Sequence, residues 1–527
     1  MKEQSTVVDE GERQAVEQGL LPACLLPPQR LQRPRRMLWL QGLLALLCWL
    51  WVIPAQAGSD SLRIGIQLEP PSLDITTTSA GTASEITYAN VYEGLTFIDG
   101  EGKVKPRLAT QWQVSKDGKT VDFELRGQVL YHDGKPFNAR TAVFSLQRML
   151  KMTSMNAYLE WFDKVASVEA VDDQLLRIHL TAPDSLLPYA LALPGAVMVH
   201  PDTADTNAVQ PVGTGPYRVK PWRRGHSVSL VRNDSWWNSL KPQIREAQFL
   251  FMTTSFETES MLAEGRIDVL SSVTRLTGAF AGRSDYVMTS RGVEGKQIVA
   301  LNNARAPLND IRVRRALSHA LDRREYHGIY GPLIQAVPIG THFSPFHPAY
   351  VDLVNRYPYD VERAKALLRE AGVAPGTVLK LALPPTDYGR YGSLIVARQM
   401  EAIGIQVEIV TMDWPTWLDK VFKQKDYDMT VIMHVEPMDL NIYARSGYYF
   451  NYDNRAFKKI WEKVRAARND AERNEQLGQA QRQITEDAVN LFIQLRPERN
   501  FIRRELAGMW EHCPIPVFAI ENLRWQN

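Results

Sequence analysis

Two rhythms of apolar and polar residues divide this chain. Between Ser61 and about Met252, the runs "SLRIGIQL", "TVDFELR" and "HSVSLVRN" place an apolar side chain at every second position, which predicts half-buried strands. "KDGKT" reads as the turn of a hairpin. A helix interrupts them, with Asn138 as its N-cap and Ala142, Leu146, Met149 and Leu150 on one face. "SFETESMLAEGRIDVL" predicts a helix stopped by Gly265, then a short strand over 267–270. Beyond about residue 300 the spacing becomes helical. "NDIRVRRALSHALDRREY" has a cap at Asn309 or Asp310 and a stripe of Val313, Ala316, Leu317, Ala320 and Leu321. "YDVERAKALLREAG" is capped by Asp360 and stopped by Gly372. Then come "VLKLALP", a helix over 393–403, "IQVEIVTM", a helix over 415–424, and "DMTVIM". That β-α-β-α-β order with short links predicts a parallel sheet covered by helices.

Ligands of open parallel sheets bind beyond the carboxyl ends of the strands. Glu436 and Asp439 follow the third of these strands, Trp414 follows the second, and Arg390 lies in the loop "PPTDYGRYG" after the first. All three loops are expected to open onto one edge.

Composition narrows the classes. The 527 residues exceed one compact core and predict two or three domains. A net charge of +2 without basic clusters leaves no nucleic-acid footprint. Arg33, Arg35 and Arg36 precede an apolar run from Met37 to Ile53, and Ala55-Gln56-Ala57 supplies a small-residue cleavage site before Gly58. This is the layout of a secretory signal peptide. A membrane anchor is the alternative, since the run approaches spanning length. The absence of a following basic cluster favours cleavage. Cys24 and Cys48 fall in this leader. The mature chain then keeps only Cys513, which rules out an intramolecular disulfide and a cysteine-based metal site. The expectation is a soluble exported protein.

Six blocks in order resemble the solute-binding proteins of bacterial peptide-type ABC importers, the oligopeptide-, dipeptide- and nickel-binding family (extracellular family 5). They are "EPPSLD", "ANVYEGLTFID" with "KPRLATQWQVSKDGKTVDFELR", "VLYHDGKPFNARTAVFSLQRM", "VGTGPYRVKPW", "LNNARAPLNDIRVRRALSHALDR" and "YDVERAKALLREAG". The resemblance implies an α/β, two-lobed periplasmic-binding-protein-like fold (class II type, cluster C). A hinge and an interlobe cleft go with it, and a larger, subdivided N-terminal lobe. Lobe I would span 58–298 with a C-terminal return over 499–527, lobe II would span 299–498, and 1–57 would be the leader. Hinge crossings would fall near 297–302 and 495–501. The implied partners are a short peptide or other amine-bearing solute and an inner-membrane ABC permease. The protein would be periplasmic and monomeric, with no cofactor, metal or catalytic residue.

In peptide-binding relatives an acid in the region of Glu436 and Asp439 meets the ligand's α-ammonium. The family often shows "D-x-D" or "D-P-D" there, whereas this chain has "EPMDLNIY", so either acid is a candidate. Asp439 is equally suited to cap the helix of "LNIYARS". Arg390 aligns with a basic residue that meets a ligand carboxylate, and Trp414 could line a side-chain pocket, with Trp417 read as core. Tyr88 and Tyr92 are either cleft wall or helix packing, and Glu69 could reach the cleft from the opposite lobe. His132 in "HDG" and the segment "GTGPYR" are read as turns. His342 and His347 are read as loop residues rather than metal ligands. The departure from the acid motif keeps a non-peptide solute open: opine-like, a modified peptide or a metal chelate. An exported hydrolase is a third class, with no G-x-S-x-G or H-E-x-x-H motif behind it.

Overall fold

The computed structural model describes residues 60–78, 80–151, 158–252, 254–273, 283–327, 336–515 and 517–526. The leader, with its apolar run, Cys24, Cys48 and the cut before Gly58, lies outside the described residues. Among the described residues no helix is long and apolar enough to cross a membrane.

A twelve-stranded sheet runs through the molecule, and two long antiparallel strands, Tyr286–Leu301 and Asn490–Arg503, form its middle. On one side of them stand Met429–His434, Thr377–Leu383 and Ile405–Thr411. The central one of these pairs in parallel with both neighbours, the arrangement anticipated from the β-α-β-α-β pattern. Helices Ile311–His319, Val361–Glu370 and Asp387–Glu401 supply a second, separate apolar core for this side, built on Val313, Leu317, Leu368, Val396 and Met400. On the other side stand Val269–Leu270, Ser61–Ile66, Glu246–Phe251, Ser227–Arg232 and Tyr217–Val219. The chain is thus two α/β lobes, and the two long strands belong to both.

The first lobe is subdivided by a four-stranded antiparallel sheet, Ala109–Val114, Thr120–Leu125, Leu175–Leu180 and Val165–Ala170. "KDGKT" is the turn of its first hairpin, where Val114 pairs with Val121. Asn138 caps helix Ala139–Lys151, its Oδ1 accepting from the backbone N–H of Arg140 and Thr141 at 3.1 Å each. The C-terminal segment lies on this lobe: Trp525 Nε1 donates to the Ser61 carbonyl at 3.0 Å, and Asn90 Nδ2 donates to the Phe518 carbonyl at 2.7 Å.

Three local expectations need correction. The helix expected over 393–403 begins at Asp387, because Thr386 caps it by accepting from Gly389 N–H at 3.1 Å. Arg390 therefore sits in a helical first turn, not in a loop. The segment expected as a helix over 415–424 has one α-turn, Trp414–Trp417, and then the wider turn Leu418–Lys423. The strand expected over 267–270 is only Val269–Leu270.

Candidate functional site

The long strand Tyr286–Leu301 breaks register between Arg291 and Gly295, opposite Glu498 and Arg496 of its partner. Four residues advance on one strand against two on the other, so Gly292, Val293 and Glu294 bulge out of the ladder. Gly292 fits closely there, since a Cβ on it would stand 2.0 Å from the Phe346 ring and push that side chain aside. The bulge presents Glu294 to a small cavity.

Behind the bulge, Lys296 is completely buried, and three oxygens surround its ammonium. The Glu436 carbonyl lies at 2.7 Å, Glu294 Oε2 at 3.1 Å and Asp439 Oδ1 at 3.1 Å. The second oxygen of Asp439 accepts from His342 Nε2 at 3.1 Å and faces His434 Nδ1 at 3.3 Å. Tyrosines orient both rings: Tyr443 Oη donates to His342 Nδ1 at 2.8 Å, and Tyr449 Oη meets His434 Nε2 at 2.9 Å. Asn490 Nδ2 donates in turn to Tyr443 Oη at 3.0 Å. Burial pushes His342 down to about 4, so at neutral pH it is an uncharged donor. Burial opposes the charge on Asp439, yet the facing His342 and Lys296 hold its carboxyl well below the ordinary range. With His342 neutral, the charge that does this is the lysine's. Burial likewise opposes the Lys296 charge, and Asp439 and Glu294 overcome it.

His342, His434 and Asp439 bring their ligand atoms within 4.8 Å of one another, a donor set that suits a first-row dication. The ammonium on the other oxygen of Asp439 works against one. Unit charges 4 Å apart repel by about 4 kcal/mol at an effective dielectric of about 20, and a dication doubles that. The trio is already engaged by Lys296, Tyr443 and Tyr449 and reads as a counter-ion network.

Two cavities border it. The smaller, of about 20 Å³, is lined by Ile98, Tyr189, Glu294, Phe343, Met438 and His512, among others. The larger, of about 920 Å³, runs between the four-stranded subdomain and helices Arg455–Ala466 and Asp470–Glu486, past Lys105, Trp112, Asp117, Pro183, Arg468 and Arg473. Gly102, Tyr189, His347 and Met438 line both, so the two adjoin. Met438 takes a left-handed φ of 51°, a conformation that costs a non-glycine residue about 1 kcal/mol. That turn carries the chain from the strand end to Asp439.

The residues singled out from the sequence are placed unequally. Asp439 is buried and does not cap: Met438 is the N-cap of the 3-10 turn Asp439–Tyr443, without a side-chain cap bond. Glu436 contributes its carbonyl to Lys296, while its carboxylate stays exposed and accepts from Val435 N–H at 3.2 Å. Trp414 is 40% exposed and meets the buried Trp417 edge-on at 5.6 Å. Arg390 is exposed; neither it nor Trp414 lines either cavity. Tyr88 and Tyr92 are packed in the first lobe's core, with Tyr88 Oη donating to the Ala192 carbonyl at 2.5 Å. Glu69 accepts from Gly225 N–H at 3.1 Å within its own lobe. His132 and "GTGPYR" account for each other: Nδ1 accepts from Gly213 N–H at 3.3 Å, and Nε2 bonds the Gly215 carbonyl at 3.0 Å. His347 lines both cavities, and its Nδ1 accepts from Ala349 N–H at 3.0 Å. Sequence reading missed Glu294 and Lys296. The signal was there, since "VEGKQIVAL" puts two opposite charges at i and i+2 at the entrance to the apolar run Ile298–Leu301.

Residues 103–454 match the model of the bacterial extracellular solute-binding proteins, family 5. The dipeptide-binding protein of Escherichia coli K12 is 26% identical over 490 residues, covering 82% of this chain and 88% of the relative. Helicobacter pylori DppA, solved with the peptide STSA, superposes with a TM-score of 0.73 at 20% identity, over 89% of this chain and 98% of that one. AgaA of A. tumefaciens R10, solved with agropinic acid, gives 0.72 at 23% identity, over 89% and 99%. With two lobes sharing a crossing pair of strands and a family match across two thirds of its length, the chain belongs to the bacterial extracellular solute-binding proteins of family 5, the solute-binding components of ABC importers.

Proposed function

We propose that this protein captures a short peptide, or another amine-bearing solute of similar size, between its lobes and delivers it to an inner-membrane permease. It would act in the periplasm as a monomer, after cleavage near Ala57 and Gly58. The observation that carries this reading is the pair of adjoining cavities. The larger has room for a few residues of peptide, and its walls include Lys103, Lys105, Lys116, Arg468 and Arg473 against Asp117, Asp184 and Asp470. That excess of cations suits a carboxylate end. The peptide names carried by the relatives support the same class. In this reading lobe I spans 58–298 with the return 499–527, lobe II spans 299–498, and the hinge lies at or near the bulge opposite Arg496–Glu498.

A non-peptide solute is the second reading. The observation that favours it is Lys296, which already fills the place beside Asp439 where a ligand ammonium was expected. Agropinic acid in a protein of the same fold is such a solute. Calorimetric titration of the exported, solute-stripped protein with a pool of di- to pentapeptides tests the first reading. One saturable site, with the peptides recovered intact by mass spectrometry, is the expected result. Absence of heat from every pool sinks the peptide and leaves the receptor, while cleaved products would mark a hydrolase.

A further inference from the structure

We propose that Glu294, on the strand that crosses between the lobes, is the carboxylate that reads the ligand's ammonium group, and that Lys296 withdraws Asp439 from that role. The inference rests on the amine-bearing ligand argued above and names the residue that recognises it. Both oxygens of buried Asp439 already face internal partners: Lys296 stands 3.1 Å from one, and His342 and His434 face the other. A ligand ammonium could reach it only by displacing a lysine that is itself completely buried.

Glu294 stands differently. Its side chain is 10% exposed, and it is the one carboxylate lining the smaller cavity among the described residues; no Lys or Arg lines it. A volume of about 20 Å³ is room for one water, and so for one ammonium head rather than a side chain. The shared walls at Gly102, Tyr189, His347 and Met438 let a solute lying in the larger groove extend a single group into this space. Charge arithmetic agrees. Glu294 and Asp439 share one ammonium, that of Lys296, and the nearby His342 is uncharged at neutral pH. Burial keeps the Glu294 carboxyl above its ordinary range even with Lys296 beside it, as befits an acid short of a counter-charge. A ligand cation brings the count to two against two.

The test compares peptide pools with free and N-acetylated amino termini on wild type, Glu294→Gln, Glu294→Asp and Glu436→Gln, with thermal melts as the folding control. Wild type should prefer free amines by about tenfold or more, the scale of one charge-assisted hydrogen bond. Glu294→Gln leaves Lys296 paired one-to-one with Asp439, so it should still melt cooperatively, at a somewhat lower temperature, and bind the two pools within about twofold, while Glu294→Asp recovers part of the preference and Glu436→Gln keeps it. A preference that survives Glu294→Gln, or that disappears in Glu436→Gln, overturns the assignment while the peptide reading stands. Equal binding of both pools by wild type does the same. If wild type binds neither pool, the peptide reading fails, and ethylammonium decides the inference: stabilisation lost only in Glu294→Gln upholds it, and no stabilisation overturns it.

Discussion

Lys296 shows how one residue redirects a site. Desolvating an ammonium costs several kcal/mol, and the position is tolerable only because Asp439, Glu294 and the Glu436 carbonyl surround it. Removing one member of a buried pair leaves the other charge uncompensated. Lys296→Met should therefore destabilise the protein by about 3–5 kcal/mol in denaturant unfolding. Adding Asp439→Asn to that variant should restore much of the loss, because the stranded carboxylate goes too. If the double variant were less stable than the single one by the full cost of Asp439→Asn alone, the two side chains would not be coupled.

At the scale of elements, helix Gly81–Thr87 is tied to the crossing strands through Glu85. Burial, together with Glu498, raises that carboxyl from 4.5 to about 7, and Arg291 opposes them. The folded protein thus keeps a proton on Glu85 up to about pH 7, while the unfolded chain releases it near 4.5. Between those values folding takes up a proton, so this group's contribution to stability falls as pH rises. Melting temperatures of wild type and Glu85→Gln should diverge across the same window, with the glutamine variant gaining relative to wild type towards pH 8. Parallel curves would mean that Glu85 is ionised in the folded protein.

Across the whole molecule, four contacts tie the segment 445–465 to the first lobe beside the larger cavity. Arg465 reaches Asp163 at 2.7 Å and Asp184 at 2.5 Å, Arg445 pairs with Glu160, and Ser185 Oγ donates to the Val464 carbonyl at 2.7 Å. Asp184 is almost fully buried, and burial holds its carboxyl above the ordinary range despite Arg465, so removing Arg465 strands a desolvated acid and costs more than losing a surface ion pair. Arg465→Ala should shift the population towards an open form, seen as a larger radius of gyration by X-ray scattering and as ligand affinity lowered about tenfold, or 1.4 kcal/mol. An unchanged radius and affinity would show that these contacts do not hold the closed state.

Much of the fold was legible along the chain because it depends on short-range chemistry. Apolar spacing and caps such as Asn138, Asp310 and Asp360 set the strands and helices, and the order of elements set the parallel trio. Those rules also brought Glu436 and Asp439 to the carboxyl end of a strand. Which acid is free to meet a ligand was decided elsewhere. Lys296 lies far from Asp439 in sequence, and its ammonium reaches that carboxylate only because Tyr286–Leu301 pairs with Met429–His434. Arg390, Trp414, Tyr88 and Tyr92 failed to converge for the same reason. A side chain's type and spacing fix its local element, but its partner and exposure come from packing between segments distant in sequence, and that pairing is a property of the tertiary structure alone.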